Sequence, residues 1–373
     1  MAGIYVHVPF CTSKCFYCSF YSSTSLNFLD EVVEATIKEL ELRKEYLKGE
    51  EIETIYFGGG TPSLLSAHHL EKILNTIYRL FPVSKNPEIT LEANPDDVNE
   101  EILKTWYHLG FNRLSLGFQT FSNRLLKLMN RRHNLHHALE CVKSLEKSSF
   151  DNFNLDLIFA IPTQTHEEVV FDINKMLEIK PPHISAYMMT FEERSVFGVW
   201  LKQRVIEEQS EDFCSQSFLF IDEKLREQGY EHYEISNFAR DGKFSRHNSN
   251  YWLNDKKFLG VGPAAASFDI VSRQTNVENK FTYVESISKN IIHCQREVLT
   301  HNDIVNEFIF NNLRTSRGLD LAVLKNQYHH SLDENVLNFL IEKKFLQREN
   351  DNVILTSQGM IVSNRILEYF FVE

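Results

Sequence analysis

The chain has 373 residues, of which 43% are hydrophobic, and its formal net charge at pH 7 is −12. This length suits two domains, or one large barrel with an appendage. The negative charge argues against a nucleic acid as the main partner, and no apolar run is long enough to predict a membrane span. The sequence starts directly with a strand-like segment, so we expect no signal peptide and a cytoplasmic location.

Three cysteines follow the first apolar segment, with the spacing Cys-x3-Cys-x2-Cys at Cys11, Cys15 and Cys18. Without a secretory signal, clustered thiols indicate a metal site rather than a disulfide. Three thiolates can bind three irons of a [4Fe–4S] cluster and leave the fourth iron open to a small molecule. A zinc site with His7 as fourth ligand is the alternative, and incidental cysteines are a third interpretation. Three further cysteines stand alone and are predicted to be buried apolar side chains: Cys141, Cys214 and Cys294.

Short β-type segments then alternate with amphipathic helical patterns. The predicted strands are Gly3–Val8, Glu53–Phe57, Glu88–Ala93, Asn112–Gly117, Asn152–Ile158 and His183–Met188. The predicted helices between them include Leu26–Leu47, Ser66–Leu80, Asn99–His108, Asn134–Leu145 and Thr165–Ile179. This alternation predicts a parallel sheet with right-handed crossovers. Six units are too few for a closed eight-stranded barrel, so we expect an α/β fold with a partial (β/α)6 barrel.

Polar residues cluster where these strands end, which is where parallel barrels carry their chemistry. The cysteine loop follows the first strand, and a glycine-rich turn, Gly58–Pro62, follows the second. The later strands carry or precede Glu92, Asn94, Gln119, Asp156 and Tyr187. The sequence therefore predicts a single site at this rim of the barrel.

The residue types at the rim suit a nucleoside that carries both charges. A glycine turn lets the backbone approach a ligand, although it can equally be a plain tight turn. The carboxylates of Glu92 and Asp156 can accept from ribose hydroxyls, and Arg131 can clamp a carboxylate. Each of these residues alone could instead be a helix cap or a solvated side chain.

After about residue 190 the alternation stops. A long helical pattern, Lys202 to Gln228, leads to a turn-rich stretch that contains His247, Tyr251 and Trp252. On a helix His247 and Tyr251 share a face, and imidazole beside two large aromatics suits a flat macrocycle such as haem. Aromatic–His clusters also simply pack, so that interpretation stays open.

The last part of the chain predicts a winged-helix-like module. Its predicted elements are the helices Asp303–Leu313, Leu321–Tyr328 and Asp333–Lys343, a hairpin of Phe345–Arg348 and Val353–Thr356, and a last helix to Phe371. Residues 301–373 contain 7 Lys and Arg against 10 Asp and Glu. The resulting negative charge favours a structural or docking role over contact with phosphates.

The ordered motifs resemble a known family. Tyr5–Cys11 with Cys15 and Cys18, Gly58–Pro62, Glu92, Gly117–Gln119, Asn130-Arg131 and Asn154–Ile158 occur in the order found in radical S-adenosylmethionine (SAM) proteins related to oxygen-independent coproporphyrinogen III oxidase. The resemblance covers essentially the whole chain. It implies a radical-SAM core barrel over residues 1–235, a connecting segment over 236–294 and a C-terminal module over 295–373.

Two features resemble the haem-chaperone branch of this family rather than its oxidases. The oxidases carry a further cysteine where this chain has Phe20, and the pattern His247-Asn248-x-x-Tyr251-Trp252, preceded by Glu234–Ala239, is similar to the chaperones. The resemblance implies a haem-trafficking protein that passes haem to an acceptor haemoprotein, membrane-bound in some cases, and that can form a homodimer. The alternative is oxidative decarboxylation of coproporphyrinogen III, so whether the chain is an enzyme stays open.

The resemblance also implies site residues. It implies that Cys11, Cys15 and Cys18 bind the [4Fe–4S] cluster. SAM contacts fall to Tyr5, Tyr17, Gly59, Gly60, Thr61, Glu92, Gln119, Arg131 and Asp156, with Tyr17 standing where the oxidases have Phe. It further implies that His247, Tyr251 and Trp252 bind haem, which the protein carries as cargo.

Overall fold

A computed structural model describes residues 2–372, and within that range twelve strands form one large sheet and three form a small one. The strands of the large sheet are β1 (Ala2–Val8), β2 (Ile52–Gly59), β3 (Val83–Ala93), β4 (Arg113–Gln119), β5 (Phe153–Phe159), β6 (His183–Met188), β7 (Glu231–Glu234), β8 (Asn237–Ala239), β9 (Lys257–Val261), β10 (Ala266–Phe268), β11 (Ser272–Asn276) and β12 (Cys294–Val298). The small sheet contains β13 (Leu319–Asp320), β14 (Leu346–Glu349) and β15 (Asn352–Leu355).

Helices cover the sheet and build the C-terminal module. They are α1 (Leu29–Leu42), α2 (Ala67–Leu80), α3 (Glu100–His108), α4 (Asn123–Leu128), α5 (Leu135–Glu146), α6 (His166–Ile179), α7 (Val196–Lys202), α8 (Glu211–Glu227), α9 (Arg246–Tyr251), α10 (Lys280–Ser288), α11 (His301–Leu313), α12 (Leu321–Tyr328), α13 (Glu334–Glu342), α14 (Ser357–Ile361) and α15 (Ser363–Glu368). The helix predicted over Leu26–Leu47 corresponds to α1, which is shorter and covers only Leu29–Leu42. The long helical pattern predicted from Lys202 to Gln228 is helical only over α8, because residues 203–210 are not helical.

The first six strands lie side by side in chain order and are all parallel, which confirms the partial (β/α)6 barrel. Successive side chains of a strand point to opposite faces, and here one face is apolar. Ile4, Val6 and Val8 of β1, for example, are buried in the main apolar core between the sheet and its helices. Burying this face under α1, α2, α3, α5 and α6 stabilises the barrel.

The opposite face of the same strands points into the barrel and is polar. Along β2 it presents Thr54, Tyr56 and Gly58, and along β3 it presents Glu88, Thr90 and Glu92. A barrel interior filled with large aliphatic side chains would be a packed core. This polar interior instead leaves room for a site at the carboxyl ends of the strands.

Residues 231–298 add strands at both edges of the sheet. β8 pairs antiparallel with β6 and carries β7, while β9 pairs parallel with β1 and leads to β10, β11 and β12. The stretch expected as a connecting segment therefore contributes strands to the large sheet.

The three cysteines outside the loop were all predicted to be buried. Cys141 is buried, as predicted, but Cys214 and Cys294 are only half-buried, so the prediction is wrong for these two. Cys294 starts β12, an edge strand whose side chains are largely exposed.

The C-terminal module packs α11–α15 and the small antiparallel sheet around its own apolar core, in the winged-helix-like arrangement that the sequence predicts. Two backbone hydrogen bonds tie it to the barrel: Ile235 N–H donates to the Arg314 carbonyl at 3.1 Å, and Ser316 N–H donates to the Tyr233 carbonyl at 2.9 Å. No helix in residues 2–372 has the length and apolar character needed to cross a bilayer.

Candidate cluster and nucleoside site

The three cysteines lie on the loop that follows β1, and all three are half-buried. The loop is held by backbone hydrogen bonds, from Cys11 N–H to the Ser23 carbonyl at 3.1 Å and from Cys18 N–H to the Cys15 carbonyl at 3.2 Å. Burial, with a smaller contribution from the neighbouring Cys15 and Cys11 thiols, raises the pKa of the Cys18 thiol to about 11. The thiols are thus close enough to influence one another electrostatically, and a bound cation would favour their ionised form.

Two other rim segments reach the cysteine loop. The Thr61 hydroxyl donates to Cys11 Sγ at 3.5 Å, and Arg131 Nη1 donates to Cys15 Sγ at 3.3 Å. The thiolate is the form of cysteine that binds metal, and a guanidinium can donate a hydrogen bond to it. The glycine-rich turn and the segment after α4 therefore contact two different cysteines of the same loop.

A cluster and a single zinc ion require different spacings between their ligands. In the part of the chain that the structure describes, no three or more Cys, His, Asp or Glu side chains are gathered closely enough to hold one metal ion. A cube places each thiolate on its own iron, so its ligands stand further apart than those of zinc, which binds sulfur at about 2.3 Å. His7, the fourth ligand of the zinc alternative, has Tyr5 Oη 3.1 Å from Nδ1 and the Tyr21 carbonyl 3.0 Å from Nε2.

The glycine-rich turn needs its glycines. Gly59 has φ of +106°, and a Cβ there would lie 2.5 Å from the His7 ring. A Cβ on Gly60 would lie 2.5 Å from the Phe10 carbonyl. Since Gly60 N–H and Thr61 N–H also donate to the Val8 and Phe10 carbonyls, the turn is pinned against the start of the cysteine loop.

Two carboxylates line the interior next to this turn. Glu92 accepts from the Tyr56 hydroxyl at 2.7 Å and from Gly59 N–H at 3.1 Å, and burial, with repulsion from Asp156, raises its pKa to about 7. Asp156 accepts from Asn154 Nδ2 at 2.6 Å, and burial raises its pKa to about 6. Both groups would be stabilised in their ionised forms by hydroxyl donors or a positive charge from a ligand.

Arg131 joins the thiols to the strand ends. Its Nη2 donates to Asn94 Oδ1 and to the Gly117 carbonyl, both at 2.6 Å. Its Nε is buried and has no partner among residues 2–372. An unpaired buried donor costs free energy, so the guanidinium is suited to an additional acceptor such as a ligand carboxylate.

The other predicted SAM residues lie nearby. Gln119 ends β4 with φ of +68°, and its amide lies beside Gly117 and Arg131. The Tyr17 hydroxyl lies against Cys15, and Tyr5 is next to His7. Sequence reasoning missed Tyr56, and it assigned no contact to Asn94 or Asn154, although it placed Asn94 at the rim. Tyr56 could have been found from strand alternation, because it shares a face with Gly58.

The predicted haem residues lie at the opposite end of the strands. His247 sits on α9 and is 2% exposed. Thr54 Oγ1 lies 2.8 Å from its Nδ1 and Tyr251 Oη lies 2.9 Å from its Nε2, while its ring stacks on Tyr56 with centroids 4.9 Å apart. Burial lowers the His247 pKa to about 3, so the ring is neutral. Trp252 directly follows α9 and is half-buried.

Comparison with known proteins assigns the class first. Residues 5–176 match the model of the radical SAM superfamily, and residues 299–362 match the HemN C-terminal domain. Coproporphyrinogen III oxidase (HemN) from Escherichia coli has the same fold, with a TM-score of 0.86 over 100% of this chain and 90% of that one, at 21% identity. The fold is that of a radical SAM protein.

Curated relatives narrow the class. The heme chaperone HemW of Lactococcus lactis is 33% identical over 99% of this chain and 97% of its own length. HemW of Bacillus subtilis is 32% identical over 100% of both chains. The chain belongs to the HemW family.

Proposed function

We propose that this chain is a haem chaperone that binds haem and a SAM-ligated [4Fe–4S] cluster and delivers haem to acceptor haemoproteins. The observation that carries the proposal is the end-to-end similarity to proteins named heme chaperone, over 97% and 100% of the two relatives. Position 20 also supports the chaperone over the oxidase, because Phe20, which is 66% exposed, stands near the thiols in place of a fourth cysteine.

The rim residues fit the cluster. Three thiols on one loop provide three iron ligands, and neither His7 nor a fourth cysteine of that loop competes for the remaining corner. A cluster with one open iron would supply a chelation point for the amino and carboxylate groups of SAM. We assign its three thiolate ligands to Cys11, Cys15 and Cys18.

The same residues would orient SAM by ordinary polar contacts. Glu92 and Asp156 accept from the ribose hydroxyls, and Arg131 binds the carboxylate through the guanidinium edge that contains its unpaired Nε. Gly59 and Gly60 keep the backbone open to the ligand, while Thr61 donates to Cys11 Sγ. The remaining SAM residues are Tyr5, Tyr17 and Gln119, and their close packing excludes water from the ligand.

We assign the haem contact to the segment of His247, Tyr251 and Trp252. Because both His247 ring nitrogens have partners, coordination of the haem iron by His247 requires opening its contact with Tyr251. Without that opening, His247 acts by fixing α9, whose first backbone N–H groups, of Arg246 and His247, donate to Glu88 at 3.1 and 2.9 Å. The Soret and α/β bands of the bound haem distinguish a histidine-ligated iron from one that His247 supports indirectly.

One experiment tests the function against the oxidase. Protein reconstituted with iron and sulfide without oxygen is titrated with hemin, and in parallel incubated with SAM, a reductant and coproporphyrinogen III. We expect stoichiometric hemin binding, transfer of the haem to an apo-haemoprotein and no protoporphyrinogen. Conversion of coproporphyrinogen without hemin binding would overturn the proposal in favour of the oxidase.

A further inference from the structure

A cleft lies between the barrel and the C-terminal module, at the end of the strands opposite to the cysteine loop. Its volume is about 480 Å³, within the usual range for small-molecule sites. One wall comes from the start of β2 and from the stretch around α9, and the other comes from residues 312–317, after α11. The two backbone hydrogen bonds between Tyr233, Ile235 and residues 314–316 fix the walls relative to each other.

The cleft offers flat apolar surface. Trp252 lines it and is backed by Phe310, with ring centroids 6.3 Å apart, and by the Arg314 guanidinium, 5.3 Å from the indole centroid. Tyr233 and Phe244 line it as well, in edge-to-face contact at 4.8 Å. Rigid aromatic side chains of this kind favour a planar ligand, since stacking on them costs little conformational entropy.

The cleft also offers two guanidinium groups from its two walls. Arg246 comes from α9, and Arg317 comes from the C-terminal module. In the described part of the chain no ion pair uses either guanidinium. The third cation, Lys256, is instead 3.8 Å from Glu53. Arg246 gives one of its donors to the Asn86 carbonyl at 3.0 Å and keeps the others. In a chain with a net charge of −12, two such groups beside aromatic walls are suited to a carboxylate-bearing planar ligand.

We propose that this cleft is the haem site, with the macrocycle against Trp252 and the two propionates bound by Arg246 and Arg317. The proposal rests on the proposed haem function and adds the position of the cargo and its carboxylate-binding residues. His247 lies on the interior side of α9 and does not line the cleft. The cargo would therefore be separated from the rim by the length of the strands: Thr54, which lines the cleft, and Gly58, at the rim, are about 13 Å apart along β2.

The test compares two double variants in otherwise intact, reconstituted protein. Arg246→Gln with Arg317→Gln removes the two cleft guanidiniums. Arg79→Gln with Arg365→Gln removes the same charge from exposed positions outside the cleft, where each arginine has only a surface ion pair. We expect the cleft variant to raise the hemin Kd at least tenfold and the control variant to change it less than twofold. Circular dichroism and thermal unfolding of both variants check that the fold is retained.

A second ligand makes the test specific for the propionates. Iron protoporphyrin IX dimethyl ester lacks the two carboxylates but keeps the macrocycle. We expect wild-type protein to bind the ester about as weakly as the cleft variant binds hemin, and the cleft variant to show no preference between the two ligands. Tight hemin binding that neither change weakens would overturn the cleft assignment and leave the haem function standing. Absence of any hemin binding by wild-type protein would overturn both.

Discussion

The two ends of the barrel differ in how far apart in the sequence their residues lie. At the rim, the three cysteines fall within eight residues, and the glycine turn is likewise continuous. At the opposite end, the cleft and its support come from five separate segments between residues 3 and 317: Gly3, Thr54, Glu88, α9 and residues 312–317. The rim can therefore be recognised from local spacing, whereas the cleft becomes visible only when the chain is folded.

The ends also differ in how their side chains are satisfied. The rim keeps carboxylates with raised pKa values and a buried Nε of Arg131 without a partner, which suits a site that awaits a ligand. The support of α9 is fully paired, through Glu88, Thr54 and Tyr251. A line of inward side chains, Thr54, Tyr56 and Gly58, joins the two ends along β2.

Loss of a single rim thiol should have the largest effect and should separate the two ends. In Cys15→Ser the iron content of anaerobically reconstituted protein should fall from about four atoms per chain to nearly none, because a cube held by two thiolates is labile. Iron and sulfide analysis measures this. Hemin titration of the same protein should still show binding, since the proposed cleft lies at the other end.

The control for that experiment is Cys214→Ser, a half-buried cysteine of α8 outside the loop, which should keep the full iron content. Retention of iron by Cys15→Ser, or its replacement by one zinc per chain in wild-type protein, would contradict the cluster assignment. Loss of hemin binding together with iron would show that the two ends are not separate sites.

Gly3→Ala should disturb the end near α9 without touching the rim. A Cβ at Gly3 would lie 2.8 Å from Thr54 Oγ1 and 3.3 Å from the His247 ring. Forcing a methyl group into this packed space should lower the free energy of unfolding by about 1–3 kcal/mol. Denaturant unfolding measures the change.

A double-mutant cycle identifies the cause of that loss. If the clash with Thr54 is responsible, Gly3→Ala should cost markedly less in a Thr54→Ala background. Additive costs in the cycle would mean that the loss arises elsewhere on β1 and that Gly3 does not make room for the α9 contacts.

Much of this architecture follows from the sequence. The six barrel strands were predicted to within a few residues, with the largest difference at β3, because their apolar faces and turn residues are local signals. The partners of edge strands are not local: β9 lies beside β1 although some 250 residues separate them in the chain. The same limit explains why Tyr56 was missed and why Asn94 and Asn154 were given no contacts, since their roles arise only where strands meet.

The cysteine prediction shows the complementary error. Cys294 was predicted to be buried because an isolated cysteine usually is, but β12 is an edge strand and leaves it half-buried. For His247 the sequence identified a histidine beside two aromatics and could not show that Thr54 and Tyr251 already occupy its two nitrogens. In both cases the sequence shows the residue type, but it does not show the surroundings that decide burial and hydrogen bonding.

SAM affinity at the rim should depend on pH. Burial raises the pKa of Glu92 to about 7 and that of Asp156 to about 6, so both are protonated in part below neutral pH. If they accept hydrogen bonds from the ribose as carboxylates, binding must first remove those protons. The SAM Kd should then rise about twentyfold from pH 8 to pH 6, of which Glu92 accounts for about tenfold. Equilibrium binding of SAM to the reconstituted protein at fixed ionic strength measures the slope.

Glu92→Gln separates this effect from general acid damage, because its amide cannot titrate. The variant should bind SAM more weakly at pH 8 but with a shallower pH dependence. An unchanged slope in Glu92→Gln would show that the ionisation of another group controls SAM binding.

The smallest expected effect concerns the stability of the end that holds His247. Burial lowers the pKa of its imidazole to about 3, below the ordinary value of about 6.5 in an unfolded chain. The unfolded chain therefore takes up a proton as the pH falls through 6.5 while the folded protein does not. The stability that comes from burying a neutral imidazole is therefore complete above pH 6.5. It is lost progressively towards pH 3, by about 1 kcal/mol between pH 7.5 and 5.5. His247→Gln should flatten the pH dependence of unfolding by that amount, whereas His136→Gln, at an exposed position, should not. Equal slopes in wild type and His247→Gln would mean that the imidazole is solvated and available, which would favour direct contact between His247 and the haem iron over its support of α9.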